Sequence, residues 1–272
     1  MGGHPTTGGE GWIASATFPG YHARMRVEGL LLDLDGTLHV GGEPVEGARE
    51  AVEKLAASGL ALRYVTNTTR KPRRAVREQM GALGFEVEEA EIFTPARAAS
   101  ALIGNRSCYP LVDESLLADL RGVDFVEDDP ECVLVGDLGA GFTYERLNAA
   151  FRRLVGGAEL LALQKNRYWR TREGLSLDAG PFVAALEYAS GKRATVVGKP
   201  EEDFFRLARE DMGLEAQEVA MVGDDAEADV AGAQSAGLTG ILVKTGKYRP
   251  EAEGAPDLIL KSVAELPEAM GV

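Results

Sequence analysis

Two aspartates, Asp33 and Asp35, close a short aliphatic run over residues 27–32 in the segment LDLDGTL. The run predicts a buried parallel strand, because it is short, aliphatic and stopped by a turn signal. Both carboxylates would then emerge at the carboxyl end of a strand, where open α/β sheets bind ligands. Alternation along the backbone predicts that both point to one side, where Mg²⁺ could bind both of them. The alternative reading is an ordinary Asp-Gly turn.

The spacing of the two aspartates favours phosphoryl transfer through a covalent intermediate. Asp33 is the candidate nucleophile, which would attack phosphorus to form an aspartyl-phosphate and so divide one hard hydrolysis into two displacements. Asp35 is the candidate acid and base. It would protonate the leaving oxygen in the first step and take a proton from the attacking water in the second.

The next strand is predicted over residues 60–65, and a phosphate cradle is predicted directly after it. Thr66, Asn67 and Thr68 supply a hydroxyl, an amide and successive backbone N–H groups for the phosphoryl oxygens. Farther along, Lys199 follows another strand in the segment Gly-Lys-Pro and would offset the charge of the phosphoryl group and the nucleophile. By itself, a Gly-Lys-Pro segment is also compatible with a solvated turn.

A second acidic segment, GDDAEAD, follows the strand predicted over residues 218–222. Asp224 would complete an oxygen-ligand site for Mg²⁺. Asp229 would orient waters or the lysine from outside the metal shell, although an acid in the first turn of a helix is also favoured by the helix dipole. Asp225 has a supporting role in this interpretation.

Composition restricts the class of partner. The chain has 272 residues, a net charge of −14 and 45% hydrophobic residues, which is enough for two domains with real cores. The negative charge argues against nucleic acid or an anionic membrane as the main partner. Two separated cysteines indicate buried thiols, and without a signal-peptide pattern or a long apolar span we expect a soluble cytoplasmic protein.

Strand-like and helix-like segments alternate along the chain, which predicts an α/β fold with a doubly wound parallel sheet. Residues 1–25 are rich in Gly, Thr and Pro and are predicted to be a flexible tail. The core domain is predicted over residues 26–104 and 194–272. Residues 105–193 carry their own strands and helices, so we expect an inserted second domain of the usual size.

Together the DLDGTL segment, Thr66, Lys199 and the late GDD-x3-D segment resemble the haloacid dehalogenase (HAD) superfamily of phosphohydrolases, in the family's order. The resemblance implies that Asp33 is the nucleophile, that Asp35 is the acid/base and also gives its main-chain carbonyl to Mg²⁺, and that Asp224 binds the metal. Only one helix fits between the first two motifs, so the cap must be the 105–193 insert. That arrangement looks like the C2-capped, NagD-like group.

The cap would choose the substrate in such a protein. Candidate cap residues for contact with substrate, each also compatible with an ordinary loop or packing role, are Lys165, Asn166, Arg167, residues 178–180, Phe142, Tyr168 and Trp169. The basic run Arg70, Lys71, Arg73, Arg74 and Arg77 could steer anionic substrates or could be a solvated helix face. Related C2-capped enzymes often pair through their caps, which implies a homodimer.

The sequence therefore predicts a Mg²⁺-dependent phosphatase that hydrolyses small phosphomonoesters, pyrophosphate or phospho-amino acids through an aspartyl-phosphate. One alternative is a phosphate-sensing or scaffold protein that keeps the pocket and turns over little, although such a protein has no need of an acid/base at Asp35. The other alternative is a phosphomutase, which shares the covalent chemistry but is disfavoured because no cap follows the first motif.

Overall fold

The computed structural model describes residues 27–171 and 174–272, so the tail predicted over residues 1–25 lies outside the described residues. The strands are β1 Gly29–Asp33, β2 His39–Val40, β3 Glu43–Pro44, β4 Ala61–Val65, β5 Ile92–Phe93, β6 Ser107–Leu111, β7 Asp124–Phe125, β8 Cys132–Val135, β9 Glu159–Ala162, β10 Tyr168–Thr171, β11 Gly174–Leu177, β12 Thr195–Val196, β13 Val219–Gly223, β14 Thr239–Val243 and β15 Leu258–Leu260. The α-helices are α1 Ala48–Ala57, α2 Arg73–Ala82, α3 Pro95–Ile103, α4 Tyr144–Val155, α5 Gly180–Ser190, α6 Glu202–Glu210, α7 Gly232–Ser235 and α8 Leu266–Met270.

The larger sheet has six parallel strands in the order β15-β14-β13-β1-β4-β5. This confirms the predicted α/β fold with a doubly wound parallel sheet. All five residues of β1 are buried, which explains why the strand reads as an apolar run rather than an alternating one. Because β4 and β13 flank β1 in the same direction, the segments that follow these three strands meet at one edge of the sheet.

The second sheet is also parallel, with the order β12-β9-β8-β6-β7. Strands β6 to β9 come from the predicted insert. The strand before Lys199 is expected in the core, since the core segment is predicted to resume at residue 194. In the structure β12 instead joins the second sheet, where Thr195 lies opposite Leu161. A short apolar strand does not show from its sequence which sheet completes its hydrogen bonds.

One apolar cluster spans both sheets. Leu31 and Val65 of the larger sheet belong to the same buried cluster as Leu134 and Leu161 of the second sheet. Full burial of such a side chain stabilises the fold by about 1.5–3 kcal/mol, so the sheets are held together by a shared core as well as by chain connections. Cys108 is in the cluster, and both cysteines are free and buried, as the sequence predicts.

The segment after β13 departs from the predicted helix over residues 227–236. A π-helical turn over Ala226–Ala231 comes first, and α7 follows it. The carbonyl of Asp225 accepts from the N–H of Asp229 at 2.9 Å and from the N–H of Val230 at 3.3 Å, so the turn carries one extra residue. Such π turns commonly occur at functional sites, and this one turns Asp229 toward the end of the sheet.

Candidate active site

Three neighbouring strands end beside one another at the carboxyl edge of the larger sheet. Asp33 ends β1 and lies opposite Val65, the last residue of β4, so Thr66 comes next to it. Asp224 follows β13 on the other side of β1. Asp33, Thr66 and Asp224 are buried there, with 6%, 5% and 1% of their surface exposed. The structure therefore brings together residues that are distant in the sequence.

The Lys199 ammonium lies between two buried carboxylates. Its Nζ donates to Oδ1 of Asp33 at 2.5 Å and to Oδ1 of Asp229 at 2.6 Å. All three side chains are almost fully buried. Hydrogen bonds between charged partners are about twice as strong as neutral ones, so this arrangement fixes the orientation of the predicted nucleophile.

Burial and charge together set the protonation of this group. Burial opposes the charged form of Lys199, but the Asp229 and Asp33 carboxylates outweigh burial and raise the pKa of Lys199 above its ordinary value. Burial raises the pKa of Asp229 to about 6 while Lys199 opposes that rise. Burial also raises the pKa of Asp33, again against the effect of Lys199. Lys199 is thus a permanent cation in a site with more negative than positive charge.

The Asp224 carboxylate packs against the bare backbone of two glycines. A Cβ added to Gly36 would lie 2.0 Å from Oδ2 of Asp224, and one added to Gly246 would lie 2.1 Å from the same atom. Both glycines have positive φ, +102° and +51°. Oδ2 accepts the backbone N–H of Lys247 at 2.5 Å, whereas the buried Oδ1 has no hydrogen-bond partner among the described residues.

Three carboxylates could hold a metal ion. Asp33, Asp224 and Asp229 each offer an oxygen, and these oxygens all lie within 4.8 Å of one another. The Lys199 ammonium balances one of their three negative charges and leaves two uncompensated when all are ionised. A divalent cation would balance both, and carboxylate oxygens are ligands that Mg²⁺ prefers. The unpartnered Oδ1 of Asp224 and the missing positive charge therefore fit a metal of this kind.

A cleft leads from solvent to this carboxylate group. It has a volume of about 360 Å³ and reaches Asp224 itself. Its lining residues are Asp224, Asp225, Ala226, Glu227, Lys247, Tyr248, Arg249 and Ala252. An entry path of this kind is one requirement for a metal site that forms within a folded protein.

Asp225 and Asp229 organise the turn after β13. Oδ1 of Asp225 accepts the backbone N–H groups of Glu227 and Ala228 at 3.2 and 3.0 Å, so Asp225 caps the turn. Oδ2 of Asp229 accepts the backbone N–H of Asp225 at 3.2 Å. Asp225 thus bonds to the backbone of its own turn, whereas Asp229 contacts Lys199 directly.

The two aspartates of LDLDGTL differ in how far their side chains are exposed to solvent. The Asp35 side chain is 76% exposed, whereas that of Asp33 is 8% exposed. The N–H groups of Leu38 and His39 donate to the carbonyl of Leu34, so the chain turns at once and strand alternation stops. Asp35 therefore lies outside β1, and its place on the same face as Asp33 stays a prediction. Oδ1 of Asp35 lies 3.6 Å from Nδ1 of the buried His39.

The side chains of Thr66 and Asn67, in the loop after β4, bond to two different parts of the chain. Oγ1 of Thr66 accepts the backbone N–H of Thr68 at 3.2 Å, which shapes the predicted cradle. Asn67 turns to Lys199 instead: its Nδ2 donates to the Lys199 carbonyl at 2.8 Å, and its Oδ1 accepts the Lys199 N–H at 2.9 Å. The Asn67 amide is therefore bonded at both ends to the lysine backbone. The Thr66 and Thr68 N–H groups are bonded to the Phe93 carbonyl and to Oγ1 of Thr66, so the Thr66 O–H is the candidate donor to a phosphoryl oxygen.

Residues that follow strands of the second sheet lie close to the Lys199 segment and to the loop after β4. A Cβ added to Gly198 would lie 2.6 Å from the carbonyl of Leu163, the residue after β9. Past the end of β8, Asp137 pairs with Arg70 from the loop after β4. The carboxyl edge of the second sheet thus lies next to the Lys199 segment and the loop after β4.

Most of the cap residues that the sequence analysis named as candidates for substrate contact instead bond to other residues of the predicted insert. Nζ of Lys165 pairs with Glu187 at 2.7 Å. Asp178 accepts from Gln164 and from the N–H of Ala179, and burial raises the pKa of Asp178. Elsewhere in the insert, the rings of Phe142 and Phe182 stack at 3.9 Å, and the Arg167 guanidinium lies 6.0 Å from the Tyr168 ring. Trp169 differs, since it lies under the guanidinium of Arg70 at 4.9 Å.

The basic run after the cradle is not a uniform patch. Lys71 donates to Gln79 of α2, and Arg74 pairs with Glu78, which is also on α2. Arg73 and Arg70 instead pair with Asp119 and Asp137 of the predicted insert. The run thus includes both an exposed helix face and two links between the parts of the chain.

Sequence reasoning missed Asp137 and Lys247. Asp137 comes two residues after β8, and Lys247 comes four residues after β14. Polar residues just past an apolar strand are the signal that located Asp33 and Asp224. The same signal, applied to every predicted strand, would have found Asp137 and the segment that contains Lys247.

Among the described residues, no helix combines the length and the apolar character needed to cross a membrane.

Two family models match the chain: haloacid dehalogenase-like hydrolase over residues 30–126 and HAD-hydrolase-like over residues 196–266. These two ranges contain every candidate residue of the site in the larger sheet.

Individual proteins match over nearly the same length. Haloacid dehalogenase-like hydrolase domain-containing protein 2 of Bos taurus is 46% identical over 232 residues, which cover 85% of this chain and 89% of the relative. The phospholysine phosphohistidine inorganic pyrophosphate phosphatase of Danio rerio is 41% identical over 240 residues, with coverage of 85% and 88%. NagD from the E. coli K-12 strain superposes with a TM-score of 0.82 at 25% identity and covers 89% of this chain and 98% of its own.

Proposed function

The chain belongs to the haloacid dehalogenase-like hydrolases and is a NagD-like phosphatase, and from this premise we propose that it hydrolyses small phosphomonoesters through an aspartyl-phosphate at Asp33, with Mg²⁺ as cofactor. The observation that carries this proposal is the buried Asp33 carboxylate, which is held by Lys199 and lies in one group with Asp224. A nucleophile needs this kind of fixed orientation.

In the first step, an oxygen of the Asp33 carboxylate attacks phosphorus while the bond from phosphorus to the leaving oxygen breaks. Lys199 holds Oδ1 of Asp33, so the other oxygen is the one that attacks. Asp35 donates a proton to the leaving oxygen. Its side chain is exposed and can rotate toward the leaving group.

In the second step, water attacks phosphorus, Asp35 takes the proton of that water, and the bond to Asp33 breaks to release inorganic phosphate. The hydroxyl of Thr66 and those N–H groups of the loop after β4 that are not bonded within the protein hold the phosphoryl oxygens in both steps. Lys199 stays in place through its two carboxylates and through Asn67.

Asp33, Asp224 and the main-chain carbonyl of Asp35 would hold the metal, with Asp229 keeping Lys199 oriented beside them. When bound, Mg²⁺ supplies positive charge next to the phosphoryl oxygens. The unpartnered Oδ1 of Asp224 is the atom in this set most clearly in need of a cation.

We also propose that the unit around the second sheet, residues 105–193 together with β12, is a C2 cap that limits access to small substrates. The Danio rerio relative is named for phospholysine, phosphohistidine and inorganic pyrophosphate. Those compounds and a panel of small phosphometabolites are therefore the substrates to screen, since the fold by itself does not select among them.

A cytoplasmic homodimer joined through the cap remains a further proposal. It is supported by the exposed apolar side chains of the β10–β11 hairpin, namely Tyr168, Leu175 and Leu177, which are 55%, 63% and 62% exposed. Patches of this kind commonly mark interaction surfaces. Light scattering at micromolar protein tests the dimer, and a monomer mass would contradict it.

Removal of divalent metal is expected to abolish hydrolysis of p-nitrophenyl phosphate. Asp224→Asn should raise the Mg²⁺ concentration for half-maximal rate by at least about 10-fold, because it takes a charge from the metal group. The two measurements are a Mg²⁺ titration of the rate and the Mg²⁺-dependent rise of the melting temperature without substrate. Glu227→Gln, which changes an exposed residue of the same cleft, serves as the control. Full activity in excess EDTA would overturn the metal proposal.

Asp35→Asn is expected to slow both steps, with a loss of roughly 10²–10⁴-fold for an alkyl phosphate, whose leaving group needs a proton. With p-nitrophenyl phosphate the leaving group needs less help, so the first step should survive better than the second. The variant should then release a burst of nitrophenolate and accumulate phosphate on Asp33, which acid quench and mass spectrometry detect. Glu43→Gln, an exposed change nearby, should behave as the wild type. Equal losses for both substrates without a burst would contradict the acid/base role.

A further inference from the structure

Arg70 makes the contacts that cross from the phosphate loop to the cap. Its Nε lies 2.5 Å from Oδ2 of Asp137, and its Nη2 donates to Oδ1 of Asp137 at 3.2 Å. The same guanidinium lies 4.9 Å from the ring centre of Trp169 in the β10–β11 hairpin. One side chain, two residues beyond Thr68, thus touches two separate segments of the cap.

The cap is shaped to receive this guanidinium. Asp137 is 4% exposed, and its Oδ1 also accepts the N–H of Gly139 at 2.9 Å. A Cβ added to Gly139 would lie 2.7 Å from Nη2 of Arg70, and Gly139 has a φ of +51°. A side chain at that position would displace the arginine. A two-pronged pair with a buried carboxylate suits arginine specifically, because its planar fork matches the carboxylate.

We propose that Arg70 is a positioning residue that fixes the cap onto the phosphate loop and so sets the size of substrate that fits between the cap and that loop. The proposal rests on the proposed phosphatase function. It assigns to Arg70 a role in holding Asp137 and Trp169, and no direct part in the displacement steps.

The Arg70 guanidinium also balances the negative charge of Asp137 inside the cap. Burial, and to a smaller extent the negative charge of Asp137, raises the pKa of Asp178. Without Arg70, Asp137 would be a buried carboxylate without its cation beside a second carboxylate, which is an unfavourable arrangement. The segment after β8 would then rearrange to reach solvent, and the part of the cap that contacts the phosphate loop would lose its fixed position.

The contrast with Arg74 provides a matched control. Arg74 lies four residues farther along the chain, on α2, and its side chain is 78% exposed and pairs with Glu78 of that helix. Its removal takes away the same charge without touching the cap. Arg70 is 44% exposed, so its substitution leaves no large cavity and the variant is expected to fold.

The test uses the full chain with Trp12→Phe, which leaves Trp169 as the one tryptophan, because the sequence has two. We expect Arg70→Ala and Arg70→Lys to change the emission of Trp169 without substrate, since both lose the stacked guanidinium. Arg74→Ala should leave the emission unchanged. This readout needs no turnover, so it separates failure of the positioning role from failure of the phosphatase proposal.

Kinetics then test the role in selection. Arg70→Ala should raise KM for p-nitrophenyl phosphate by about 10-fold with little change in kcat, because the reacting groups remain. The preference for this small ester over a phosphotyrosine peptide should fall. Arg70→Ala combined with Asp137→Asn should be no worse than either change by itself, since both remove one contact. Wild-type emission together with an unchanged preference in Arg70→Ala would overturn the proposal, and so would losses that add in the double variant.

Discussion

Asp33→Asn is expected to lower kcat for p-nitrophenyl phosphate by roughly 10⁴-fold or more, because an amide cannot form the covalent intermediate. The substitution keeps the shape of the side chain and one oxygen acceptor for Lys199, so the fold should be retained. The measurement is a steady-state assay at saturating Mg²⁺, with far-ultraviolet circular dichroism to confirm folding.

The control for this variant is Asp203→Asn, which removes a carboxylate from the exposed face of α6, where it pairs with Arg206. It should retain the wild-type rate. Mass spectrometry adds a direct test, since wild-type protein quenched in acid during turnover should carry phosphate on Asp33. Turnover by Asp33→Asn at a rate within about 10-fold of the wild-type rate would contradict the covalent mechanism, because contaminating wild-type enzyme could not account for so high a rate.

Lys199→Met is expected to remove activity and also to destabilise the protein by about 3–5 kcal/mol, because it leaves two buried carboxylates without their cation. Few single changes have so large an effect on stability. The raised pKa of Lys199 means that its ammonium stabilises the fold at every pH below the unfolded value of about 10.4, so urea unfolding at pH 7 measures the full contribution.

A second substitution should recover part of this loss. Lys199→Met combined with Asp229→Asn removes one of the two uncompensated charges, so the double variant should be more stable than Lys199→Met by itself while staying inactive. Asp229→Asn in the wild-type background is the matched single change. If the double variant is the less stable of the two, the buried charges are not the source of the loss.

Much of the site could be predicted from the sequence because short apolar strands end in polar residues. The run before Asp33 and the run before Asp224 each form a buried strand whose boundaries differ from the prediction by only one or two residues. In a parallel sheet the direction of a strand determines the edge at which its following residues lie. That rule needs no knowledge of side-chain contacts.

Other features depend on contacts that the sequence does not display. The Asn67 amide could bond phosphate or backbone equally well, and only the position of Lys199 decides between them. Asp35 lies within a turn that is closed by hydrogen bonds to the Leu34 carbonyl, so strand alternation does not determine where its side chain points. The pairing of Arg70 with Asp137 joins residues that are 67 positions apart, and a basic run gives no sign of which arginine finds such a partner.

The apolar cluster that spans both sheets has a consequence for inhibitor design. Separating the sheets would expose side chains such as Leu31 and Leu134, so the carboxyl edges of the two sheets keep their relative position before any ligand arrives. A ligand that enters a preformed cleft does not have to order its receptor, and a stiff ligand loses little freedom of its own. Compact, rigid phosphonates, whose carbon–phosphorus bond resists displacement, are therefore expected to bind more tightly than flexible ones with the same charged group.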